Sequence, residues 1–201
     1  MGSLITSGIS QPAVLLVVLA SVLMLLVRNW RWIIVILYIQ YLGVFLLMAL
    51  SWSLELAAAK LISGWMAGAI LGVAMSNAPK AWREEGKSWP SGYLFRLLAA
   101  GLVILVVFSF STMVTTSLPG VSQYTAWGSL FLIGMGLLHL SLTNQPFRVI
   151  VGLLTVLSGF EIIYAALESS VLVAAMLAGV DLGLALVGAY LFYAPSLEET
   201  T

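Results

Sequence analysis

Seven apolar stretches, each close to the length of a membrane-spanning helix, occupy most of this sequence. A helix needs about 20 apolar residues to cross the hydrocarbon core of a bilayer. Of the 201 residues, 62% are hydrophobic and 8% are charged, whereas a soluble domain carries about 25% charged residues. So few charges cannot cover a water-exposed surface, and lipid must therefore surround most of the chain. We predict an all-α fold, a polytopic transmembrane helix bundle of about seven spans.

Short polar or proline-containing links separate the predicted spans and leave little mass outside the bilayer. The spans cover residues 12–27, 32–51, 55–76, 92–113, 124–142, 146–167 and 170–193. Met1 to Gln11 is expected to precede the membrane, with Pro12 as the first helical residue, a position that suits proline. Residues 1–201 are predicted to form a single transmembrane domain, with a four-helix half at 1–120 and a three-helix half at 121–193. A six-span bundle with one re-entrant helix pair is the alternative.

Basic residues alternate regularly between the links. They are Arg28, Arg31, Lys80, Arg83, Lys87 and Arg148, in the links after spans one, three and five, with Arg96 just inside span four. Trp82 and Trp89, in the longest loop, are expected at the membrane interface. Because basic loops face the cytoplasm, the N-terminus is predicted outside and the C-terminus in the cytoplasm. The expected location is a prokaryotic plasma (inner) membrane, which the chain crosses several times.

Composition and motifs exclude several functions. The net charge is zero and no basic block occurs, so nothing points to nucleic acid. Cysteine is absent and His139 is the only histidine, which rules out disulfides, cysteine-ligated clusters and a haem held by two histidines of this chain. No phosphate-binding loop, nucleophile elbow or zinc spacing occurs. We therefore predict no catalytic residue, cofactor site or metal site in the chain itself.

Two acids lie within predicted spans, where a charge costs about 2.5–3.5 kcal/mol on insertion scales. Asp181 is near the centre of span seven, about 18 Å of helix from either end, and is predicted to act as a proton relay or to pin two helices together. Glu161 lies about 10 Å below the outer face in span six. It either shuttles protons between Asp181 and the outer side, or it reaches a water-filled pocket or pairs with Lys60.

Two further residues are candidates for the same relay. Lys60 lies in span three, nearer its outer end, and either extends to the headgroups or modulates the proton affinity of a nearby acid. His139 lies near the inner end of span five. It either passes protons inward from the cytoplasmic side or caps a helix by hydrogen bonding.

Glycines four residues apart predict close helix packing. Gly64, Gly68 and Gly72 form a continuous stripe on span three, which should dock tightly against a partner helix inside or outside the chain. Gly179 and Gly183 flank Asp181 at the same spacing, so a neighbouring helix is expected to approach closely there.

The C-terminal part resembles chain 4L (the K subunit) of NADH-quinone oxidoreductase and the E component of hydrogenase-4-type membrane complexes. The residues that carry the resemblance are Leu130 to Leu138, Asn144 to Arg148, and Val151 to Leu154. Gly152 to Gly159 is similar to the pattern Gly-Leu-Leu-x-x-Glu-Asn-Gly of component E, and Val180 to Leu182 resembles the segment around its last-helix acid. The resemblance covers about residues 128–193.

The sequence departs from these patterns at both acids. Leu157 stands where component E has glutamate and Leu154 where chain 4L has its acid, while Glu161 lies one helical turn beyond Leu157 on a similar face. Asp181 precedes Gly183 by two residues, whereas the acid of chain 4L precedes the corresponding glycine by four. Residues up to about 120 resemble no family that we can name.

The resemblance implies a non-catalytic membrane subunit of a complex-I-like or group 4 hydrogenase-like oxidoreductase. Such a chain would contribute intramembrane acids to proton or cation translocation and pack against larger antiporter-like subunits. Its partners would be other membrane subunits and the lipid bilayer, with quinone at a neighbouring subunit. Two alternatives stay open: a purely structural subunit of a respiratory or photosynthetic complex, and an independent small transporter, for which paired broken helices are lacking.

Overall fold

The computed structural model describes residues 2–79 and 92–198, with side chains over 10–79 and 92–192. These residues form seven α-helices and no strands, which confirms the predicted all-α bundle. The helices are α1 (Gly2–Leu26), α2 (Trp30–Met48), α3 (Leu54–Asn77), α4 (Tyr93–Ser117), α5 (Gln123–Ser141), α6 (Pro146–Leu167) and α7 (Val171–Glu198). The predictions for Lys80, Trp82, Arg83, Lys87 and Trp89 lie outside the described residues.

Five of these helices are long and apolar enough to cross a membrane. They are α2, α3, α4, α6 and the Val171–Phe192 part of α7, and Ser10–Leu26 of α1 is a shorter apolar helix. A helix satisfies its own backbone hydrogen bonds, as a hydrocarbon environment requires. Length and composition thus support an integral membrane protein.

The prediction for Pro12 is wrong. Helix α1 begins at Gly2, so Pro12 lies inside it and is not its first residue. Proline removes one backbone hydrogen bond, but transmembrane helices tolerate it because neighbouring groups satisfy the freed carbonyl. The expected boundary at residue 12 therefore does not exist.

The described arginines mark one end of the bundle, which we call the arginine end. Arg28 and Arg31 lie where α1 ends and α2 begins, Arg96 in the first turn of α4, and Arg148 in the first turn of α6. Asn29 caps α2, since its side chain accepts a hydrogen bond from the amide of Arg31 at 3.0 Å. The opposite end carries the links between α2 and α3, α4 and α5, and α6 and α7.

The helices pack as two four-helix groups that share an edge. Helices α1, α2, α6 and α5 contact one another in a closed ring, and so do α2, α3, α7 and α6. The pair α2 and α6 belongs to both rings. Helix α4 lies outside, against α5 and α1, and most of its surface is exposed. Helices of the predicted N- and C-terminal halves are therefore interleaved.

Helices α5 and α6 approach backbone to backbone at glycines that the packing prediction did not include. A Cβ atom at Gly136 would lie 2.9 Å from the carbonyl oxygen of Gly152, and one at Gly159 would lie 2.7 Å from that of Ser129. Both distances are shorter than any real Cβ contact, so glycine is required at these positions. This pair makes the most extensive helix contact in the bundle.

The glycine stripe of α3 docks inside the chain, against α2. A Cβ atom at Gly64 would lie 2.3 Å from the ring of Tyr41, and one at Gly68 would lie 2.7 Å from that of Tyr38. In contrast, a Cβ atom at Gly72 would have a side-chain methyl group, 3.4 Å away, as its nearest neighbour. The stripe therefore makes room for aromatic rings and does not bring two backbones into contact.

Candidate functional site

Lys60 joins three helices inside the bundle. It lies on α3, its ammonium group forms ion pairs with Asp181 of α7 and Glu161 of α6, and only 5% of its surface is exposed. Lys60 therefore does not extend to the headgroups, one of the two predicted alternatives. We call Lys60, Glu161 and Asp181 the charged cluster.

Asp181 is fully buried. Besides Lys60, its Oδ2 atom accepts a hydrogen bond from the hydroxyl of Ser63 at 3.4 Å. That hydroxyl also donates to the carbonyl of Lys60 at 2.9 Å, which holds it beside the lysine. The Oδ1 atom of Asp181 has no hydrogen-bond partner among the described residues.

Glu161 is also fully buried, and its Oε1 atom has no hydrogen-bond partner in the described part of the chain. The sequence left open whether Glu161 pairs with Lys60, and the structure shows that it does. Two carboxylates thus share one ammonium group. With all three groups ionised, the charged cluster carries one uncompensated negative charge.

The depth of each residue along its helix explains why the three meet. Lys60 lies six residues from the start of α3 and Glu161 six residues from the end of α6, so both are about 9 Å from the opposite end of the bundle. Asp181 lies ten residues into α7, or about 15 Å. Helices α3 and α6 both pack against α7, which brings the three side chains close together sideways. The long lysine side chain spans the remaining difference in depth.

Tyr41 of α2 completes the surroundings of the cluster. The Lys60 ammonium lies 5.5 Å from the centroid of the Tyr41 ring, within the range of a cation–π interaction. The ring rests against Gly64, one turn after Lys60 on α3. Because glycine has no side chain, the Tyr41 ring has room to lie there. Tyr41 was not predicted from the sequence, although a glycine one turn after a lysine within an apolar span was a usable signal.

A cavity of about 110 Å³ adjoins the charged cluster. Lys60 and Glu161 form its polar wall, and apolar side chains from α2, α3 and α7 form the rest. It extends to Trp52, in the link between α2 and α3, and to Val171, the first residue of α7. The Trp52 indole donates a hydrogen bond to the carbonyl of Glu168 at 2.8 Å. The volume is sufficient for several water molecules.

His139 lies away from the charged cluster. It is two residues from the end of α5, at the arginine end, and lines a small pocket with Arg96 and Arg148. It is 5% exposed, and its Nε2 atom has no partner among the described residues. The structure therefore does not bring this predicted relay residue to the other three.

Two arginines bind backbone carbonyls in the last turn of α1 and in the link that follows it. Arg96 donates to the carbonyl of Leu25 at 2.9 Å, and Arg148 to those of Val27 and Arg28 at 3.1 and 3.0 Å. Carbonyls at a helix end lack intrahelical partners and carry partial negative charge. These side chains thus fix the end of α1 beside α4 and α6.

The packing predicted at Gly179 and Gly183 is not found. No atom lies within 4 Å of a Cβ placed on either glycine, so no helix of the described residues approaches them. The spacing was correct for a close contact, but these two glycines and Asp181 lie on different sides of α7. Asp181 faces α3 and α6, whereas Gly179 is exposed.

Comparison of the chain with protein-family models, curated proteins and solved structures finds no match. Within the described residues, no group of three or more His, Cys, Asp or Glu side chains is placed to hold a metal ion. The cluster can bind or release a single proton, or exchange it for a cation, at a carboxylate that the lysine does not fully neutralise.

Proposed function

We propose that this chain is a membrane subunit of a complex-I-like or group 4 hydrogenase-like oxidoreductase that contributes the charged cluster to proton or cation translocation. The observation that carries the proposal is one lysine shared by two buried carboxylates, Glu161 and Asp181. Placing the chain in the plasma membrane of a prokaryote belongs to the same proposal.

The charge balance supports exchange of an ion at this site. Two carboxylates and one ammonium leave one negative charge, and an unpaired charge in a low-dielectric interior is costly. A proton or cation bound at Glu161 or Asp181 neutralises the cluster. The site thus has two states that differ by one charge, as an ion relay requires.

The cavity at the opposite end supports access to the site. It reaches Lys60 and Glu161 from the region of Trp52 and Val171, and Glu161 lies about 9 Å from that end of the helix. Water in the cavity would connect the Glu161 carboxyl to the membrane surface. Asp181 lies deeper, on the far side of the lysine.

Electron transfer would take place in partner subunits. The chain has no cysteine and one histidine, so it supplies no ligand set for an iron–sulfur cluster or a doubly ligated haem. The resemblance of residues 128–193 to chain 4L and component E favours antiporter-like partner subunits, with quinone bound at a neighbouring subunit.

A purely structural role is the second candidate, favoured by a specific observation. Lys60 ties α3 to both α6 and α7 through its two ion pairs, and a buried polar contact can specify helix packing without conducting. In that case the acids would fix the arrangement of these three helices.

The two candidates are separated in membranes of the native host. The tagged chain is purified with its associated subunits, and substrate-driven proton uptake is measured in vesicles that contain the wild type, Glu161→Gln or Asp181→Asn. Glu168→Gln is the matched control, since Glu168 ends the same helix and is exposed. Electron transfer is measured in parallel.

We expect the oxidoreductase subunits to co-purify, and both buried-acid variants to lose proton uptake while Glu168→Gln keeps it. Wild-type uptake per electron in Glu161→Gln and Asp181→Asn would leave only the packing role. A chain that purifies without any oxidoreductase subunit would contradict the proposed complex.

A further inference from the structure

Four buried polar side chains continue from the charged cluster toward the arginine end. Gln40 and Tyr41 lie on α2, and Thr155 and Ser158 on α6, each at most 3% exposed. Thr155, Ser158 and Glu161 recur every three residues and so share one face of α6. We call Gln40, Tyr41, Thr155 and Ser158 the polar row.

Side-chain contacts connect this row across the shared edge of the two helix rings. The Gln40 amide donates to the hydroxyl of Thr155 at 3.3 Å, and the Tyr41 ring lies beneath the Lys60 ammonium. The hydroxyls of Thr155 and Ser158 donate to carbonyls one turn earlier in α6, at 2.8 and 2.9 Å. From Glu161 to Thr155 the row covers about 9 Å of membrane depth.

Several polar atoms along the row and cluster lack partners among the described residues. They are Oε1 of Gln40, Oε1 of Glu161 and Oδ1 of Asp181. Buried polar atoms of native proteins are normally satisfied, and ordered water satisfies those that protein groups do not reach. Three such atoms in one buried region are expected to share a group of bound water molecules.

The row ends at an apolar layer on the side of the arginine end. Val151, one turn before Thr155 on α6, is fully buried, as is Leu37 of α2. The sulfur of Met24 contacts the Thr155 hydroxyl at 4.0 Å. Apolar constrictions in membrane pores block conduction by excluding water.

We propose that the polar row is a hydrated proton path between the charged cluster and the middle of the membrane, closed by the apolar layer of Met24, Leu37 and Val151. A proton leaves the Glu161 carboxyl for an adjacent water molecule, which releases one of its own protons to the next. The carboxylate is left charged, each water behind the moving proton returns to its neutral form, and the water nearest Thr155 holds the proton as hydronium until the apolar layer opens or the proton returns to Glu161. This inference rests on the proposed function.

The proposal predicts that a polar residue in the apolar layer opens a proton leak. Val151→Ser places a hydroxyl and free volume one turn beyond Thr155, whereas Val151→Ala creates a similar volume with apolar walls, which stays dry. Passive proton flux is measured with the full chain in proteoliposomes under a pH gradient. We expect Val151→Ser to leak about tenfold faster than Val151→Ala, which corresponds to about 1.4 kcal/mol in barrier height.

Second substitutions test whether the leak uses the polar row. In the Val151→Ser background, Thr155→Val and Tyr41→Phe should return the flux to that of Val151→Ala, whereas Thr155→Ser should keep it. Ser129→Ala should also keep it, because the Ser129 hydroxyl is buried but bonds only within α5. A purely steric effect would give the opposite ranking, because Thr155→Val keeps the side-chain volume and Thr155→Ser reduces it.

The inference is overturned if Val151→Ser leaks no faster than Val151→Ala, or if its leak is unchanged by Thr155→Val and Tyr41→Phe. Should Val151→Ser not fold, Val151→Thr, which keeps the shape of valine, replaces it under the same criteria. The leak is measured without a partner complex. Its absence in Val151→Ser can therefore be distinguished from a failure of Glu161→Gln to abolish substrate-driven uptake. The latter would contradict the proposed function itself.

Discussion

Replacing Lys60 by methionine removes the ammonium group from the charged cluster and keeps most of the side-chain volume. Glu161 and Asp181 then lose their shared counter-charge inside the bundle, where both carboxyl groups are fully buried. The Ser63 hydroxyl, 3.4 Å from Asp181, is the only other described hydrogen bond to either carboxyl group. The variant therefore leaves two adjacent buried acids nearly uncompensated.

The expected cost follows from that arrangement. Removal of one partner from a buried ion pair costs about 3–5 kcal/mol, and here a single substitution breaks two pairs. The cost arises from unpaired buried carboxylates. The triple variant Lys60→Met, Glu161→Gln, Asp181→Asn contains no such carboxylate in the cluster and should therefore recover most of the lost unfolding free energy. Arg31→Met is the matched control: Arg31 is exposed, and surface substitutions usually change stability by no more than about 0.5 kcal/mol.

Equilibrium unfolding of the purified chain in mixed detergent micelles, followed by far-ultraviolet circular dichroism, measures these differences. We expect Lys60→Met to be least stable, with the triple variant between it and the wild type. If Lys60→Met is as stable as Arg31→Met, the lysine does not hold buried carboxylates and the reasoning is refuted. Equal loss in the single and triple variants would assign the effect to packing alone.

Three further predictions concern packing and are measured by the same unfolding assay. Gly64→Ala should lose about 1–3 kcal/mol relative to Gly72→Ala through overpacking, because its Cβ would lie 2.3 Å from an aromatic ring and that of Gly72 3.4 Å from a methyl group; equal stability would contradict this. Gly159→Ala should be at least as damaging, since its Cβ would meet a backbone oxygen at 2.7 Å, and a stable variant would disprove the close approach of α5 and α6. Trp52→Phe removes the hydrogen bond to Glu168 and should cost about 0.5–1.5 kcal/mol; a variant as stable as the wild type would contradict this.

The helices were predictable because the length of an apolar stretch and the polar or proline residues that separate two stretches are local properties of the sequence. All seven predicted spans correspond to helices, and the links at Arg28 and at Gln145 were located correctly. The start of α1 was not, since Pro12 favours a helix start in isolation but is tolerated within a long apolar helix. Whether all seven helices cross the membrane, and in which direction, stays a prediction.

The members of the charged cluster were predictable one by one, but their meeting was not. A charge within an apolar span is visible in the sequence, and Lys60, Glu161 and Asp181 were identified on that basis. Their convergence depends on α7 packing between α3 and α6, which is a property of helix order and rotation. His139 met the same sequence criterion, yet it lies at the other end of the bundle.

The polar row was missed for a related reason. Helix α2 is apolar on almost every face, so its sequence does not show which side is buried, and Tyr41 looks like any aromatic residue of a span. Gln40 did offer a signal, because an amide ten residues into an apolar helix needs a partner. Its partner, Thr155, lies 115 residues away in sequence.

In the proposed function, the charged cluster holds an exchangeable proton inside the membrane. The most direct test is infrared difference spectroscopy of the purified chain between acidic and alkaline buffers, which distinguishes the C=O band of a protonated carboxyl from that of a carboxylate. We predict a band from a buried carboxyl that shifts in deuterated water, changes in Glu161→Gln and in Asp181→Asn, and persists in Glu168→Gln. A difference spectrum that is identical in the wild type and in the Glu161→Gln, Asp181→Asn double variant would show that neither carboxyl group exchanges a proton.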